Sequence, residues 1–189
     1  TSKTSAAATI TLNDRAPVPL PTLKVDAKWD GAYANDIRVV IAAATSGAAD
    51  ELNFTVEDNG LIAEVFPNLS MDAAKENYVE TVVNHAERGS KLIKVEELSS
   101  ATVSPNDLPA LGTFGPLTGG SDGLASLADI DFIGSSAGKT GIRALDCIQD
   151  LSLLIVPGRA TSAVHNAMIS YCEAARDLQA PLARRGTGR

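Results

Sequence analysis

The sequence predicts an α+β chain, with its strands gathered first and its helices after them. Three observations carry this. Apolar and polar residues alternate in short runs between residues 22 and 66, the two-residue period of a half-buried strand. Asn59-Gly60 stands between two such runs, where positive φ at both positions closes a type I′ hairpin. Beyond residue 123 the apolar spacing becomes three to four, that of a helix with one buried face. Between the two parts lies Leu117-Thr118-Gly119-Gly120-Ser121-Asp122-Gly123, where three glycines in five residues weaken any helix or strand and force a turn or a close approach.

In the first half, residues 8–12 alternate Thr with apolar side chains and read as an edge strand. Pro17, Pro19 and Pro21 then exclude ladder donation and give an extended connector. Leu23, Val25 and Ala27 share one face of the next strand, with Lys24, Asp26 and Lys28 on the other. Residues 29–35 form a turn-rich link. Ile37, Val39 and Ile41 mark a second clear strand; Leu52, Phe54 and Val56 mark a third. The returning strand after Asn59-Gly60 covers 61–66 and is expected to end at Pro67. Residues 68–72 lead into a helix over 73–84, with Tyr78, Val79, Val82 and Val83 on one side, although its valines are poor helix formers. A short strand follows at 91–95, with Leu92 and Ile93 as its buried pair, and residues 98–116 read as a long loop.

In the second half, Leu124, Leu127, Ala128 and Ile130 predict a short helix, and Ile142, Leu145 and Ile148 predict another over 140–148. Residues 151–156 hold five apolar side chains around one serine and stop at Pro157-Gly158, which predicts a strand buried on both faces. Thr161 or Ser162 caps the last helix. Its stripe of Val164, Met168, Tyr171, Ala175 and Leu178 recurs at spacings of 4, 3, 4 and 3. Residues 181–189 are basic and aperiodic, so no further parallel strand follows that helix. The sheet is then either cut short or completed by other chain.

A length of 189 residues gives one moderate domain or two small ones. With 44% apolar and 21% charged residues the chain can bury a core. A net charge of -7 argues against a nucleic-acid groove. No apolar run approaches the roughly 18 residues of a membrane span, and no signal-peptide core is present. Cys147 and Cys172 lack metal-ligand spacing and are expected to be small buried hydrophobes in a reducing compartment. Because it opens on Thr1, the chain is expected to be a trimmed or processed product.

Candidate chemistry is sparse. Gly134-Ser135-Ser136-Ala137-Gly138-Lys139-Thr140 approximates a phosphate-binding loop, but three residues rather than four separate its glycines. A helix-entry loop with a solvated Lys139 is the favoured reading. The same residues satisfy G-x-S-x-G, with Ser136 as nucleophile and Asp146 or Asp150 and His165 in hydrolase order. However, His165 falls near a helix start, only 29 residues after Ser136. Asp129 and Asp131 read as a solvated pair, and His85 as an exposed imidazole without a ligand companion. Asn53-Phe54-Thr55 and Asn68-Leu69-Ser70 match glycosylation acceptors without a secretory context. No catalytic, cofactor-binding or metal-ligating residue is assigned.

Several passages together resemble the tail sheath proteins of contractile phage tails and related injection systems. Leu23-Lys24-Val25-Asp26-Ala27-Lys28 with Gly31-Ala32-Tyr33-Ala34-Asn35-Asp36-Ile37-Arg38-Val39 is similar to that family's strand, G-x-x-x-N turn and strand. Residues 68–72 and 77–84 look like its segment ahead of a Ser-hydrophobic strand, here 90–95. The Leu117 to Gly123 loop resembles its signature, and Leu153-Leu154-Ile155-Val156-Pro157-Gly158 with the helix through Tyr171 and Glu173 resembles its buried strand and helix. The likeness runs in order over residues 22–178.

The resemblance implies an extended arm or edge strand (1–21), a β-sandwich-like domain (22–116), a partial α/β domain, subtilisin-like in shape but non-catalytic (117–180), and an irregular tail (181–189). It implies a non-enzymatic virion-tail subunit, assembled in the bacterial host cytoplasm. Other sheath subunits, a tail tube protein and a baseplate would be its partners; nucleic acid, membrane and cofactors would not. Because the family continues beyond the helix that ends near Leu178, the chain is expected to be a fragment. A β-sandwich binding module presenting Trp29 and Tyr33 to a receptor or glycan is the alternative, ahead of a Ser136 hydrolase.

Overall fold

The computed structural model describes residues 4–148, 151 and 153–179, with side chains up to 174. The chain is α+β, with antiparallel sheets and few helices. It divides into two units, Thr1–Ser126 and Leu127–Arg189.

The first unit holds the strands β1 (Ser5–Ala6), β2 (Thr9–Asn13), β3 (Pro21–Ala27), β4 (Ile37–Ala43), β5 (Glu51–Asp58), β6 (Leu61–Ser70), β7 (Ile93–Glu97), β8 (Gly112–Phe114) and β9 (Ser121–Asp122). Three sheets result, with orders β1-β9, β2-β3-β7 and β6-β5-β4-β8. The two-residue alternation sets which side chains go inward. Leu23, Val25 and Ala27 are buried, as are Ile37, Val39 and Ile41, and Leu52, Phe54 and Val56. With Leu12, Phe66, Leu69, Ile93 and Val95 they form one apolar core. Each large aliphatic or aromatic side chain so buried contributes about 1.5–3 kcal/mol.

Asn59 and Gly60 both have positive φ, 50° and 78°, and Asp58 pairs with Leu61 across them. This is the two-residue hairpin that the dipeptide predicts. Pro67, expected to end the returning strand, does not. β6 is an edge strand, so a missing N–H there disturbs no outer neighbour. The register shifts between Leu52 and Phe54. Beside the proline, Asn68 takes φ 55° and its N–H donates to Asn53 Oδ1 at 2.9 Å.

Other expectations need correction. The helix over 73–84 shrinks to α1 (Val79–Val83). Asp72 turns the chain just before it, accepting from Ala74 N at 2.9 Å, and Val79 and Val83 alone face the core. The strand expected at 91–95 begins at Ile93, and its buried pair is Ile93 with Val95, leaving Leu92 half-buried. The loop 98–116 contains β8, which pairs with β4 through Gly112 to Phe114.

The second unit contains α2 (Asp129–Ile133), a 3₁₀ turn at Gly141–Cys147 and α3 (Ser162–Gln179). Residues 124–130, expected to be one helix, split between a 3₁₀ turn at Leu124–Ser126 and α2. The spacing of three in Ile142, Leu145 and Ile148 matches a 3₁₀ repeat rather than an α-helix. Ile142 is buried and Ile148 exposed. Residues 153–156 form no strand; Leu153 and Ile155 are 73% and 64% exposed. An apolar run becomes a buried strand only between ladder partners, and none stands beside it among the described residues. On α3 the predicted stripe holds for Val164, Met168 and Tyr171. The side chains of Ala175 and Leu178, and all of residues 181–189, lie outside the described residues.

Candidate functional site

The densest polar construction joins three segments of the first unit: the N-terminal arm, the turn at 31–35 and the glycine loop at 117–123. Expected to divide the chain, that loop instead belongs to the first unit. Thr9 N donates to Thr118 O at 2.8 Å, and Thr118 N returns a bond to Thr9 O at 3.1 Å. β1 then pairs with β9, Ser5 opposite Asp122 and Ala6 opposite Ser121. Leu117 is fully buried, and its N–H donates to Ile37 O at 2.8 Å.

The turn closes on the same loop. Asn35 Nδ2 donates to Gly120 O at 3.0 Å, and Gly120 N donates to Asn35 Oδ1 at 2.9 Å. Ala32 N donates to Asp122 Oδ1 at 2.9 Å, and Gly31 N to Ala6 O at 3.1 Å. Ser5 Oγ donates to Asp30 Oδ2 at 2.7 Å. One amide side chain thus serves Gly120 as a paired strand would.

Close approach explains the glycine at 120. A Cβ there would stand 2.5 Å from Gly31 O, 2.9 Å from Asn35 Oδ1 and 3.1 Å from the Ala8 Cβ. At Gly31, φ is 145° and a Cβ would meet the Tyr33 ring at 2.9 Å. In this clamp amides, carbonyls and carboxylates are engaged with one another, so the arrangement fastens segments together.

A second polar centre is Asp14, which the sequence reading passed over. Its carboxylate is buried and accepts from Ala16 N at 3.1 Å, Leu20 N at 3.0 Å, Ser100 Oγ at 3.1 Å and Thr102 Oγ1 at 2.5 Å. The Thr102 hydroxyl, helped by the two amides and Ser100, holds the carboxyl below its ordinary pKa against the opposing effect of burial. The signal was the Asx-turn chemistry of Asp ahead of a proline-rich run. Nearby, Asp50, Asp72, Glu97 and Asp107 line a polar cleft of about 460 Å³. Asp50 pairs with Lys75, and Glu97 accepts from the Tyr78 hydroxyl at 2.6 Å. Burial, then Glu97, pushes the Tyr78 phenol far above its usual range. No group of three His, Cys, Asp or Glu is placed to hold a metal among the described residues.

The sequence candidates separate. Ser136, Asp146 and His165 are all exposed, and no hydrogen bond joins them among the described residues. Asp146 instead bonds the Tyr171 hydroxyl, while burial, then Asp146, raises that phenol. Asp150 lies outside the described residues. The loop at 134–140 folds on itself: Ser135 N donates to Thr140 Oγ1 at 3.1 Å and Thr140 N to Ser135 O at 3.2 Å. Two of its donors are therefore used internally rather than left to bind phosphate.

Asp129 and Asp131 are not a solvated pair. Asp129 meets Arg159 at 2.7 Å, and Asp131 Oδ2 accepts from Ala128 N at 2.9 Å at the start of α2. His85 is half-buried, and its Nδ1 accepts from Glu87 N and Arg88 N, both at 3.2 Å. Cys147 and Cys172 are exposed, not buried, because the unit's inward positions go to Ile142, Val164 and Tyr171. Asn53 and Asn68 use their side chains to hold the β6 irregularity and the turn at 45–46. Trp29 and Tyr33 are exposed. No helix among the described residues is long and apolar enough to cross a membrane.

No protein-family model and no curated protein matches the chain. Among solved structures it is similar to a sheath tail protein from Listeria innocua, at 16% identity and a TM-score of 0.49, over 93% of this chain and 32% of that one. It is also similar to a sheath tail protein from Desulfitobacterium hafniense, at 17% identity and a TM-score of 0.49, over 92% of this chain and 33% of the other. The chain spans about a third of the length of these structures. Both are sheath tail proteins, the family that the sequence passages resemble.

Proposed function

We propose that the chain is a structural, non-enzymatic part of a contractile tail sheath. In this reading it contributes to subunits that stack helically around a tail tube, meet a baseplate, and contract to drive the tube through an envelope. The open lattice would arise from heterologous contacts that do not close into a ring, and contraction from two packings of similar energy. The first unit would be the β-sandwich-like domain and the second part of a subtilisin-shaped, non-catalytic one, within a virion tail assembled in the host cytoplasm.

One observation carries the reading. Gly31 to Asn35 and Leu117 to Gly123, two of the passages that carry the resemblance, bond to each other through Asn35 and Gly120. Passages that look alike only by accident have no reason to share one polar joint. The test is negative-stain electron microscopy of the chain mixed with purified tail tubes. Regular axial decoration is expected; bare tubes beside folded chain would overturn the reading.

The exposure of Trp29 and Tyr33 favours a second reading, a module that binds a receptor or glycan through these aromatics. It requires that ligand quench the emission of Trp29, the sole tryptophan.

A further inference from the structure

A sheet edge carries unpaired N–H and C=O groups, which a fold must cover or use. In the first unit several edges are covered. On β7, Asn84 Nδ2 donates to Val95 O at 2.7 Å, Val95 N donates to Asn84 Oδ1 at 2.9 Å, and Glu97 N donates to Glu80 Oε1. β2 is pinned at one end by Thr118 and at the other by Ala110 N, which donates to Asn13 O at 2.9 Å. The second half of β6 lies against Asn77, whose O accepts from Ser70 N at 2.9 Å and whose Nδ2 donates to Asn68 O at 2.6 Å.

The first half of β6 differs. It ends the order β6-β5-β4-β8, and among the described residues the backbone of 61–66 makes no hydrogen bond outside its ladder with β5. Leu61, Ile62 and Val65 are 74%, 69% and 56% exposed. Glu57, Asp58 and Glu64 flank this strip, and none forms an ion pair among the described residues. Exposed edges are ordinarily blunted by Lys, Pro or a covering loop, yet this one is apolar and rimmed with carboxylates.

We propose that the edge from Leu61 to Phe66 is a strand-addition site for an extended segment of another polypeptide, apolar at alternate positions and carrying Lys or Arg between them. The unpaired backbone selects an extended strand, since only a strand returns a ladder of donors and acceptors. The exposed apolar side chains select its alternate residues. The carboxylates select its charge, and they also disfavour a second copy paired edge to edge, which would bring Glu57, Asp58 and Glu64 against themselves. This inference stands apart from the sheath reading.

The test uses the full chain with two synthetic hexapeptides, Lys-Val repeated three times and Glu-Val repeated three times, both with blocked ends. Hydrogen exchange of amides 61–66 is followed at low ionic strength. The lysine peptide is expected to slow the outward-facing amides about 10-fold, as added ladder bonds would, and the glutamate peptide to leave them unchanged. Adding Ile62→Lys and Val65→Lys together should abolish the protection while far-ultraviolet dichroism and Trp29 emission stay as they were. No protection by the lysine peptide, or equal protection by both peptides, overturns the proposal. So does protection that rises with chain concentration alone, which would identify a second copy. The two-peptide comparison needs no variant and decides the matter even where the substitutions unfold the chain.

Discussion

Replacing Gly120 by alanine probes the clamp directly. The added Cβ would lie 2.5 Å from Gly31 O, a main-chain atom that cannot rotate aside, and 2.9 Å from Asn35 Oδ1. Relieving that overlap means moving two backbone segments apart, an overpacking cost of about 1–3 kcal/mol. The same movement weakens the two Asn35–Gly120 bonds, now 3.0 and 2.9 Å, each worth about 1 kcal/mol net. A loss of about 3 kcal/mol is therefore expected for Gly120→Ala. With a urea slope near 2 kcal/mol/M, the midpoint falls by about 1.5 M. Trp29 lies next to the turn and is the chain's sole tryptophan, so its emission reports the unfolding of the first unit. Gly119→Ala is the control. There φ is 86° but nothing lies within 4 Å of a Cβ, so only the left-handed backbone penalty of about 1 kcal/mol applies. Equal losses at 119 and 120, or a change at 120 below about 0.5 kcal/mol, would refute the steric argument, the latter being no more than an ordinary surface substitution causes.

Asn84→Ala removes both bonds to Val95 and should cost about 2 kcal/mol, read as a lower urea midpoint, whereas Asn84→Asp keeps the acceptor and should lose roughly half as much. Asp14→Ala should lower the midpoint at pH 7. Because the folded carboxyl titrates below its unfolded value, its stabilisation is present above pH 4 and disappears as pH falls through the folded pKa; the gap between wild type and Asp14→Ala should therefore close in acid, and a gap unchanged at pH 2 would contradict the assigned bonding. Ser136→Ala should be silent, and a fluorophosphonate probe should fail to label the native chain; labelling that vanishes in Ser136→Ala would instead establish a hydrolase.

Where burial on one face decided the outcome, the strands were legible. Leu23, Val25 and Ala27 could not have pointed elsewhere, and Asn59-Gly60 fixed the one hairpin whose turn demands positive φ twice. The misreadings occurred where tertiary context outweighs local pattern. Pro67 ends a central strand but is harmless on an edge, and no alternation shows which strand is the edge. Residues 73–84 carry helical spacing only through four short turns' worth of chain, and the side-chain acceptors of Ser70 and Asp72 capture the amides that a longer helix would need. The run at 151–156 has the composition of a buried strand, but burial requires neighbours that composition does not specify. Of the clamp, both glycine positions were visible as places where the backbone turns or approaches something closely; that Asn35 is what Gly120 approaches was not, since 85 residues separate them.

The distinction between a joint and an active site rests on spare bonding capacity. Catalysis needs a donor, acceptor or nucleophile left unspent until substrate arrives. At the clamp the Asn35 amide gives one bond and takes one with Gly120, the Asp122 carboxylate takes Ala32 N, and Asp30 takes the Ser5 hydroxyl. Chain closure across 85 to 117 residues is entropically costly, growing slowly with loop length, and that cost is offset here by bonds made in parallel rather than by any single strong one. Such a joint transmits displacement: the arm cannot shift its register against β9 without also disturbing Gly31, whose N–H is held by Ala6 O. A fold that spends its polar groups this way resists being pulled apart at its N-terminal end, which is a mechanical property and the one a load-carrying subunit requires.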